Sequence, residues 1–179
     1  MSVLRLDPMP ADRPLTLRSA RTQDVPVIQA LVEPLARERV LLQKEAVAYY
    51  EAIQEFVVAE EADGTLAGFG ALHVMWQDIA EVRTLAVSEA HRGAGVGHLL
   101  IEELLDRARA VGVERVFCLT FEVEFFRRHG FEVMADQSAV DPEVYAELLR
   151  STDEGVAEFL DLARVKPNTL GNTRMIRRL

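Results

Sequence analysis

Apolar and polar residues follow two different periods along the chain, which together predict a mixed fold. Alternating positions or short apolar runs predict strands near 15–17 and over about 56–60, 66–75, 79–87, 116–120, 131–135 and 173–178. Apolar residues spaced three and four apart predict helices over about 22–39, 42–54, 96–111 and 123–129, with another beginning at 141. The chain therefore alternates strands and helices, with neither an internal repeat nor a low-complexity segment.

Short-range signals refine these boundaries. Asp63-Gly64 predicts a hairpin turn, and Pro34 predicts a break or kink in the first helix. Gly130 predicts the end of a short helix, whereas Asp141-Pro142 supplies a cap and a first-turn proline for another. In the helix that ends near 111, the spacing predicts four buried leucines: Leu99, Leu100, Leu104 and Leu105.

The length of 179 residues predicts one domain over 14–179, preceded by a loose arm over 1–13. The net charge of −9 argues against a broad nucleic-acid surface, so any anionic ligand needs a local basic patch. The single Cys118 excludes an internal disulfide framework and fits a reducing compartment. With no signal-peptide core and no run long enough to span a bilayer, we expect a soluble, cytoplasmic protein without a membrane partner.

The stretch from Glu81 to Leu100 carries the clearest chemical signal. An apolar strand leads through a polar turn into a glycine-rich turn and then an amphipathic helix. Glycines let the backbone approach a ligand closely, and the first helical turn offers unpaired N–H groups to a phosphate. We therefore predict a phosphate site in the glycine loop, defined as residues 92–98: Arg92, Gly93, Ala94, Gly95, Val96, Gly97 and His98.

The loop spacing is Arg92-x-x-Gly95-x-Gly97, which lacks the Gly-Lys-Ser/Thr of a P-loop and the Gly-x-Gly-x-x-Gly of a dinucleotide site. It resembles the acetyl-CoA loop of the GNAT superfamily of N-acyltransferases; an ordinary strand–turn–helix is the alternative. The segment Phe125–Glu132 resembles the superfamily's aromatic-x-x-x-Gly-Phe segment. The resemblance implies an α/β (α+β) GNAT fold with a mixed sheet flanked by helices. It also implies acetyl-CoA as co-substrate and no metal.

The resemblance also assigns chemical roles. It implies that the strand over 79–87 is bulged and splayed from the strand over 116–120. Backbone N–H groups of Leu85, Ala86 and Val87 would then face the acetyl carbonyl and the pantetheine arm. A plain buried strand is the alternative. Glu81 is the candidate general base, acting directly or through water, although it could instead be a solvated charge paired with Arg83.

A general acid is harder to assign. Many GNAT enzymes have tyrosine four residues before the glycine of the second motif, and this chain has Phe126 there. Thr120, at the end of the preceding strand, is the candidate hydroxyl for protonating the leaving thiolate. A water molecule is the alternative, and a thiolate can also leave without a dedicated acid.

Further segments resemble the acetyltransferase domain of bacterial N-acetylglutamate synthases and short amino-acid acetyltransferases of arginine biosynthesis. These segments lie over 79–87, 116–120, 125–131 and 166–175. Lys44 stands where that family has a substrate-binding arginine, and lysine offers a point charge instead of a two-pronged fork. The predicted acceptor is therefore L-glutamate or glutamine. The candidate carboxylate-binding cations are Lys44, Arg83 and Arg174.

Two other functions remain open at this stage. One is a GNAT enzyme that acetylates a polyamine, a peptide N-terminus or an antibiotic, and an acidic pocket would favour a polyamine. The other is a non-catalytic acyl-CoA sensor, against which the combination of Glu81 and the glycine loop argues. The sequence leaves open whether the protein forms a homodimer.

Overall fold

A mixed sheet forms the centre of the fold in a computed structural model that describes residues 14–38, 40–41, 44–134, 140–160 and 171–179. Its strands are β1 (Thr16–Ser19), β2 (Phe56–Glu60), β3 (Leu66–Trp76), β4 (Ile79–Val87), β5 (Arg115–Thr120), β6 (Glu132–Val133) and β7 (Thr173–Arg178). The helices are α1 (Val25–Arg37), α2 (Ala46–Glu51), α3 (Val96–Val111), α4 (Val123–Arg128), α5 (Pro142–Leu148) and α6 (Glu154–Phe159). The predicted arm over 1–13 lies outside the described residues.

The strand order is β1-β2-β3-β4-β5-β7-β6, and β4 and β5 pair in parallel whereas the other neighbours pair antiparallel. The predicted mixed sheet flanked by helices is therefore confirmed. The hairpin between β2 and β3 is confirmed as well: Gly64 has φ +89°, and the Asp63 carboxylate accepts a hydrogen bond from the Thr65 N–H at 2.9 Å.

Helices cover both faces of the sheet. Successive residues of β2 point to opposite faces and pack in two different hydrophobic clusters. Val57 and Ala59 pack with α3, whereas Phe56 and Val58 pack with α1 and α2. On α3 the buried face comprises Val96, Leu100, Ile101, Leu104, Leu105 and Ala108. The prediction for Leu99 was wrong: 41% of this residue is exposed, because it lies beside this stripe and not on it.

The first two helices differ from their predicted forms. Of the break or kink predicted at Pro34, the break does not occur, because α1 continues through Pro34 to Arg37. α2 is shorter than predicted: it begins after Glu45, whose backbone is extended, and gives way at Ala52 to a short 3₁₀ turn leading into β2. Residues 42–43 at its predicted start lie outside the described residues.

The last third of the described chain adds a small layer beside β5 and β7. α5 is capped as predicted, since the Asp141 carboxylate accepts a hydrogen bond from the Glu143 N–H. α6 was not predicted, and its N-cap is Asp153. β6 is shorter than predicted, and residues 135–139 and 161–170 lie outside the described residues. No helix among the described residues is both long and apolar enough to cross a membrane.

Candidate active site

β4 is distorted at the centre of the sheet, as the resemblance implied. Arg83 pairs with Ala71 and Ala86 pairs with Phe69, so two residues of β4 lie opposite one residue of β3. Thr84 has φ +55° at this bulge, and it is the one residue other than glycine with positive φ in the described chain. A threonine adopts this conformation rarely, so the surrounding pairing must hold it in place.

β4 and β5 also diverge beyond the bulge. Their parallel pairing covers Ile79–Glu81 and Arg115–Phe117, whereas β4 continues to Val87 and β5 to Thr120. A cleft of about 2240 Å³ is lined by Glu81–Val87 of β4 and by Leu119 and Thr120 of β5, together with residues of the surrounding helices and loops. The short pairing confirms the splay and leaves the edge of β4 over Leu85, Ala86 and Val87 without a strand partner on the β5 side. Because the Ser88 N–H donates to the Ala67 carbonyl of β3 and N–H directions alternate along a strand, the N–H groups of Leu85 and Val87 face the open edge, whereas that of Ala86 faces β3.

Most of the predicted site residues line this cleft. Of the predicted residues, all of which the structure describes, Ala94 and Arg174 are outside the lining. Those that line the cleft are Lys44, Glu81, Arg83, Leu85, Ala86, Val87, Arg92, Gly93, Gly95, Val96, Gly97, His98 and Thr120. The fold therefore brings together one wall from the glycine loop and one from the centre of the sheet.

The glycine loop uses its glycines in two ways. Gly93 and Gly95 both have φ +80°, which side-chain-bearing residues rarely adopt. A Cβ on Gly97 would lie 3.3 Å from the Phe125 ring, so this glycine allows α3 and α4 to approach. No side chain caps the start of α3, so its first N–H groups remain available for an anion.

A hydrogen-bonded network holds the start of this loop against the β2–β3 turn. Ser88 Oγ lies 2.6 Å from His91 Nδ1, and His91 Nε2 lies 2.6 Å from Glu61 Oε1. Glu61 is buried. The sequence did not suggest this network, because Glu61 and His91 are 30 positions apart.

The wall of the cleft carries a charged group that we call the Glu81 cluster: Glu81, Arg83, Asp153 and His73, which line the cleft, and Glu55, which lies outside the lining and contacts His73. Arg83 donates two hydrogen bonds to the Asp153 carboxylate, at 3.0 and 3.2 Å. Its Nη2 also lies 2.9 Å from Glu81 Oε2, an ion pair without hydrogen-bond geometry. The proposed substrate-binding cation Arg83 is thus already flanked by two carboxylates.

Glu81 is buried at 7% exposure although it lines the cleft. Burial raises the pKa of the Glu81 carboxyl; the Arg83 guanidinium opposes this, and the negative charge of Asp153 raises that pKa further. α6 packs directly against the Glu81 carboxyl, since a Cβ on Gly155 would lie only 2.0 Å from Glu81 Oε2. A carboxylate with a raised pKa at the wall of a cleft is well suited to accept a proton.

The cluster extends towards the β2 side of the cleft. His73 Nδ1 lies 2.7 Å from Glu55 Oε1, and His73 Nε2 lies 3.7 Å from Asp153 Oδ2. Sequence reasoning missed Asp153, Gly155, His73 and Glu55. The Ser-x-Asp before α6 is a recognisable cap signal, but nothing local connects Asp153 to Arg83, 70 positions away.

The other predicted residues have simpler surroundings. Thr120 is buried at the end of β5, and its Oγ1 accepts a hydrogen bond from the Glu122 N–H at 2.9 Å. Phe126 is also buried, with its ring edge-on to Phe125 and Phe131, so an apolar cluster occupies the usual tyrosine position. Arg174 Nη1 lies 3.5 and 3.4 Å from the carbonyl oxygens of Glu158 and Phe159.

Comparison with known proteins agrees with this geometry. Residues 27–131 match the model of the acetyltransferase (GNAT) family. The chain belongs to the GNAT family. It is therefore an N-acetyltransferase, in a family whose enzymes use acetyl-CoA as acetyl donor. The fold expected from the two sequence motifs is confirmed.

Two similar proteins indicate which members of the GNAT family this chain resembles. An amino-acid acetyltransferase of Mycobacterium tuberculosis is 52% identical over 169 residues, covering 93% of this chain and 96% of the relative. A crystal structure of Rv2747 from the same organism, in complex with CoA and NLQ, has a TM-score of 0.85 at 52% identity and covers 92% of this chain and 99% of the other.

A third relative is longer than this GNAT chain. It is an N-acetylglutamate synthase from Neisseria gonorrhoeae, solved with CoA and N-acetyl-glutamate. Its TM-score is 0.75 at 28% identity, and the match covers 94% of this chain but 36% of the synthase.

Proposed function

We propose that this GNAT enzyme transfers the acetyl group of acetyl-CoA to the α-amine of L-glutamate or L-glutamine, as a step of arginine biosynthesis in the cytoplasm. The observation that carries the proposal is Glu81, a buried carboxylate with a raised pKa that lines the same cleft as the glycine loop and Lys44. The similarity to an amino-acid acetyltransferase and to a synthase solved with N-acetyl-glutamate supports this acceptor. The single cysteine, buried and free, fits a reducing compartment.

The glycine loop is the proposed site of the CoA pyrophosphate. The uncapped N-terminus of α3 supplies N–H donors and a positive dipole end, and exposed Arg92 adds a fixed charge. The pantetheine arm would then run along the edge of β4 that has left β5. There the N–H groups of Leu85 and Val87, which face the open edge, can polarise the thioester carbonyl, whereas the N–H of the third predicted residue, Ala86, faces β3.

Glu81 is the proposed general base. A neutral amine attacks the thioester carbon, and Glu81 takes the ammonium proton directly or through one water molecule. As the tetrahedral intermediate collapses, the C–S bond breaks and the thiolate leaves. Thr120, at the end of β5, or a water molecule would supply the proton to sulfur.

Lys44 is the strongest of the three proposed cations for the acceptor's carboxylate. It lines the cleft, whereas Arg83 is held between Glu81 and Asp153, and Arg174 is outside the cleft lining. A charge-assisted hydrogen bond contributes about 1.5–3 kcal/mol. Lys44→Ala should therefore raise the amino-acid KM by roughly tenfold or more without weakening acetyl-CoA binding.

One observation favours a second acceptor class, a polycationic amine. The cleft lining includes four lysine or arginine residues and eight carboxylates: Glu38, Glu45, Glu81, Glu102, Glu122, Asp153, Glu154 and Glu158. Such an excess of negative charge attracts cations. It attracts the ammonium group of an amino acid too, so the balance of charge alone does not choose between them.

A panel of acceptors assayed by thiol release tests the proposal. The panel contains the twenty amino acids, spermidine, an aminoglycoside and a histone-tail peptide. Glutamate or glutamine should give the highest kcat/KM. A higher value for spermidine would replace the amino-acid acceptor with the polyamine. Acetyl-CoA binding without any turnover would instead indicate an acyl-CoA sensor.

A further inference from the structure

Three potential metal ligands meet where α3 begins and α4 ends. His98 lies in the first turn of α3, Glu102 lies one turn later on the same face, and His129 directly follows α4. One ligand atom from each residue lies within 4.8 Å of the others. The mechanism proposed above uses the backbone N–H of His98 but none of these three side chains.

The hydrogen bonds of His129 already orient it as a ligand. Its Nδ1 lies 2.8 Å from the carbonyl oxygen of Phe125, so Nδ1 carries the hydrogen and donates. Nε2 then carries the lone pair and points at His98 Nδ1, 2.8 Å away. A backbone carbonyl that fixes the tautomer of a histidine is the usual outer partner of a metal-binding imidazole.

The spacing of the two imidazoles fits a zinc ion after a small movement. Tetrahedral zinc with Zn–N bonds of 2.0–2.1 Å needs about 3.3 Å between the two nitrogens. The rings would therefore separate by roughly half an ångström from the present 2.8 Å contact. His98 is exposed and can make this adjustment, while its tautomer changes so that Nδ1 is free to bind.

We propose that His98, Glu102 and His129 form a binding site for a divalent transition metal of the Zn²⁺ class. Two imidazoles and one carboxylate form a recognised zinc ligand set, with the fourth position open to water. The ion would link α3 to α4 beside the contact between Gly97 and Phe125. It is not a participant in acetyl transfer, which Glu81 and the backbone of β4 can carry out.

Titration calorimetry with Zn²⁺ tests the site, using chelator-treated protein without a histidine tag and without acetyl-CoA. We expect one equivalent bound. His98→Gln, Glu102→Gln and His129→Gln should each weaken binding by about tenfold or more. Glu103→Gln is the matched control: the residue is the helix neighbour of Glu102, paired instead with Arg107 at 3.1 Å, and this variant should keep wild-type affinity.

Two further readouts accompany the titration. Co²⁺ bound to the wild type should show the visible absorption of a four-coordinate site, and this absorption should be absent in His98→Gln. Zn²⁺ should raise the Tm of the wild type but not that of the three ligand variants. His98 is exposed, so this variant tests the site even if His129→Gln does not fold. No binding, or equal affinity in all variants, would overturn the proposal and leave a histidine–histidine hydrogen bond. The assays contain neither donor nor acceptor, so they can fail or succeed independently of the acetyltransferase assignment.

Discussion

The two walls of the cleft are built in different ways. The glycine loop is one continuous stretch whose shape depends on backbone conformation, with Gly93 and Gly95 at positive φ. The Glu81 cluster depends on charged side chains, and its members come from β3, β4, the turn before β2 and the turn before α6. The loop should therefore tolerate side-chain changes and fail when its backbone is strained, whereas the cluster should fail when one charge is removed.

Removing the proton acceptor from the cluster should have the largest effect. Glu81→Gln keeps the shape of the side chain but cannot take the amine proton, so we expect kcat to fall by about a hundredfold to ten-thousandfold. Acetyl-CoA affinity should change little, because the glycine loop is untouched. Steady-state kinetics and calorimetry measure the two quantities.

Glu132→Gln provides the control for Glu81→Gln, since Glu132 is exposed on β6 and outside the cleft lining. For the wild type, kcat/KM should rise with pH through the raised pKa of Glu81, because only the ionised carboxylate accepts a proton. A loss below about threefold in Glu81→Gln would remove Glu81 from the role of base.

Filling the space against Glu81 should be the next most damaging change. Gly155 lies in α6, where alanine would normally stabilise a helix by about 1 kcal/mol. Its Cβ would, however, lie 2.0 Å from Glu81 Oε2. We expect Gly155→Ala to lower the free energy of unfolding by about 1–3 kcal/mol, as in other overpacked sites, and to lower kcat.

Urea unfolding measures the stability change in Gly155→Ala. Ala157→Gly is a useful reverse change, because it removes a buried methyl from α6 and adds no atom at Gly155, which packs against Glu81. It should reduce stability through helix propensity and the lost methyl while retaining more of the kcat. A Gly155→Ala variant with wild-type stability would show that α6 is not packed on Glu81 in solution.

A substitution that strains the backbone of the glycine loop tests the other wall of the cleft. Gly95→Val places a β-branched residue at φ +80°, which costs about 1–2 kcal/mol in the left-handed region and should move the loop out of its anion-binding shape. We expect acetyl-CoA affinity to weaken by roughly tenfold. Calorimetry on the folded variant gives the dissociation constant.

Gly64→Val is a closely matched control for Gly95→Val. Gly64 has φ +89°, and a Cβ added at either glycine would meet no atom within 4 Å. Gly64 lies in the β2–β3 hairpin, so the variant should lose similar stability but keep its acetyl-CoA affinity. Equal affinities in the two variants would mean that the glycine loop does not hold the donor.

The same contrast between the walls explains what the sequence could predict. The glycine loop was predictable because its strand, its glycines and its helix are contiguous. Glu81 was proposed from its place on the adjoining strand together with the family resemblance, and the structure places it in the lining of the same cleft. Asp153 and His73 could not be predicted, because only the complete fold brings Asp153, before α6, to Arg83 and brings His73, on β3, to Glu55. Leu99 was misplaced because a run of leucines does not by itself fix which side of a helix faces the sheet.

The smallest expected effect comes from a substitution at Asp153. This residue has two roles: it caps α6 through the Val156 N–H, and it pairs with Arg83. Asp153→Ser keeps a capping oxygen but removes the carboxylate. Because the negative charge of Asp153 raises the pKa of Glu81, its removal should lower that pKa. The acid limb of the kcat/KM profile should then move to lower pH, since Glu81 stays ionised further into acid.

Asp141→Ser supplies the control for this shift, because Asp141 caps α5 in the same way and is outside the cleft lining. Asp153→Ser should lose more stability than Asp141→Ser, because it also removes the carboxylate that pairs with Arg83, and only Asp153→Ser should move the pH profile. If the two profiles coincided, Asp153 would be a cap alone. The Glu81 cluster would then consist of two separate pairs, Glu81 with Arg83 and His73 with Glu55.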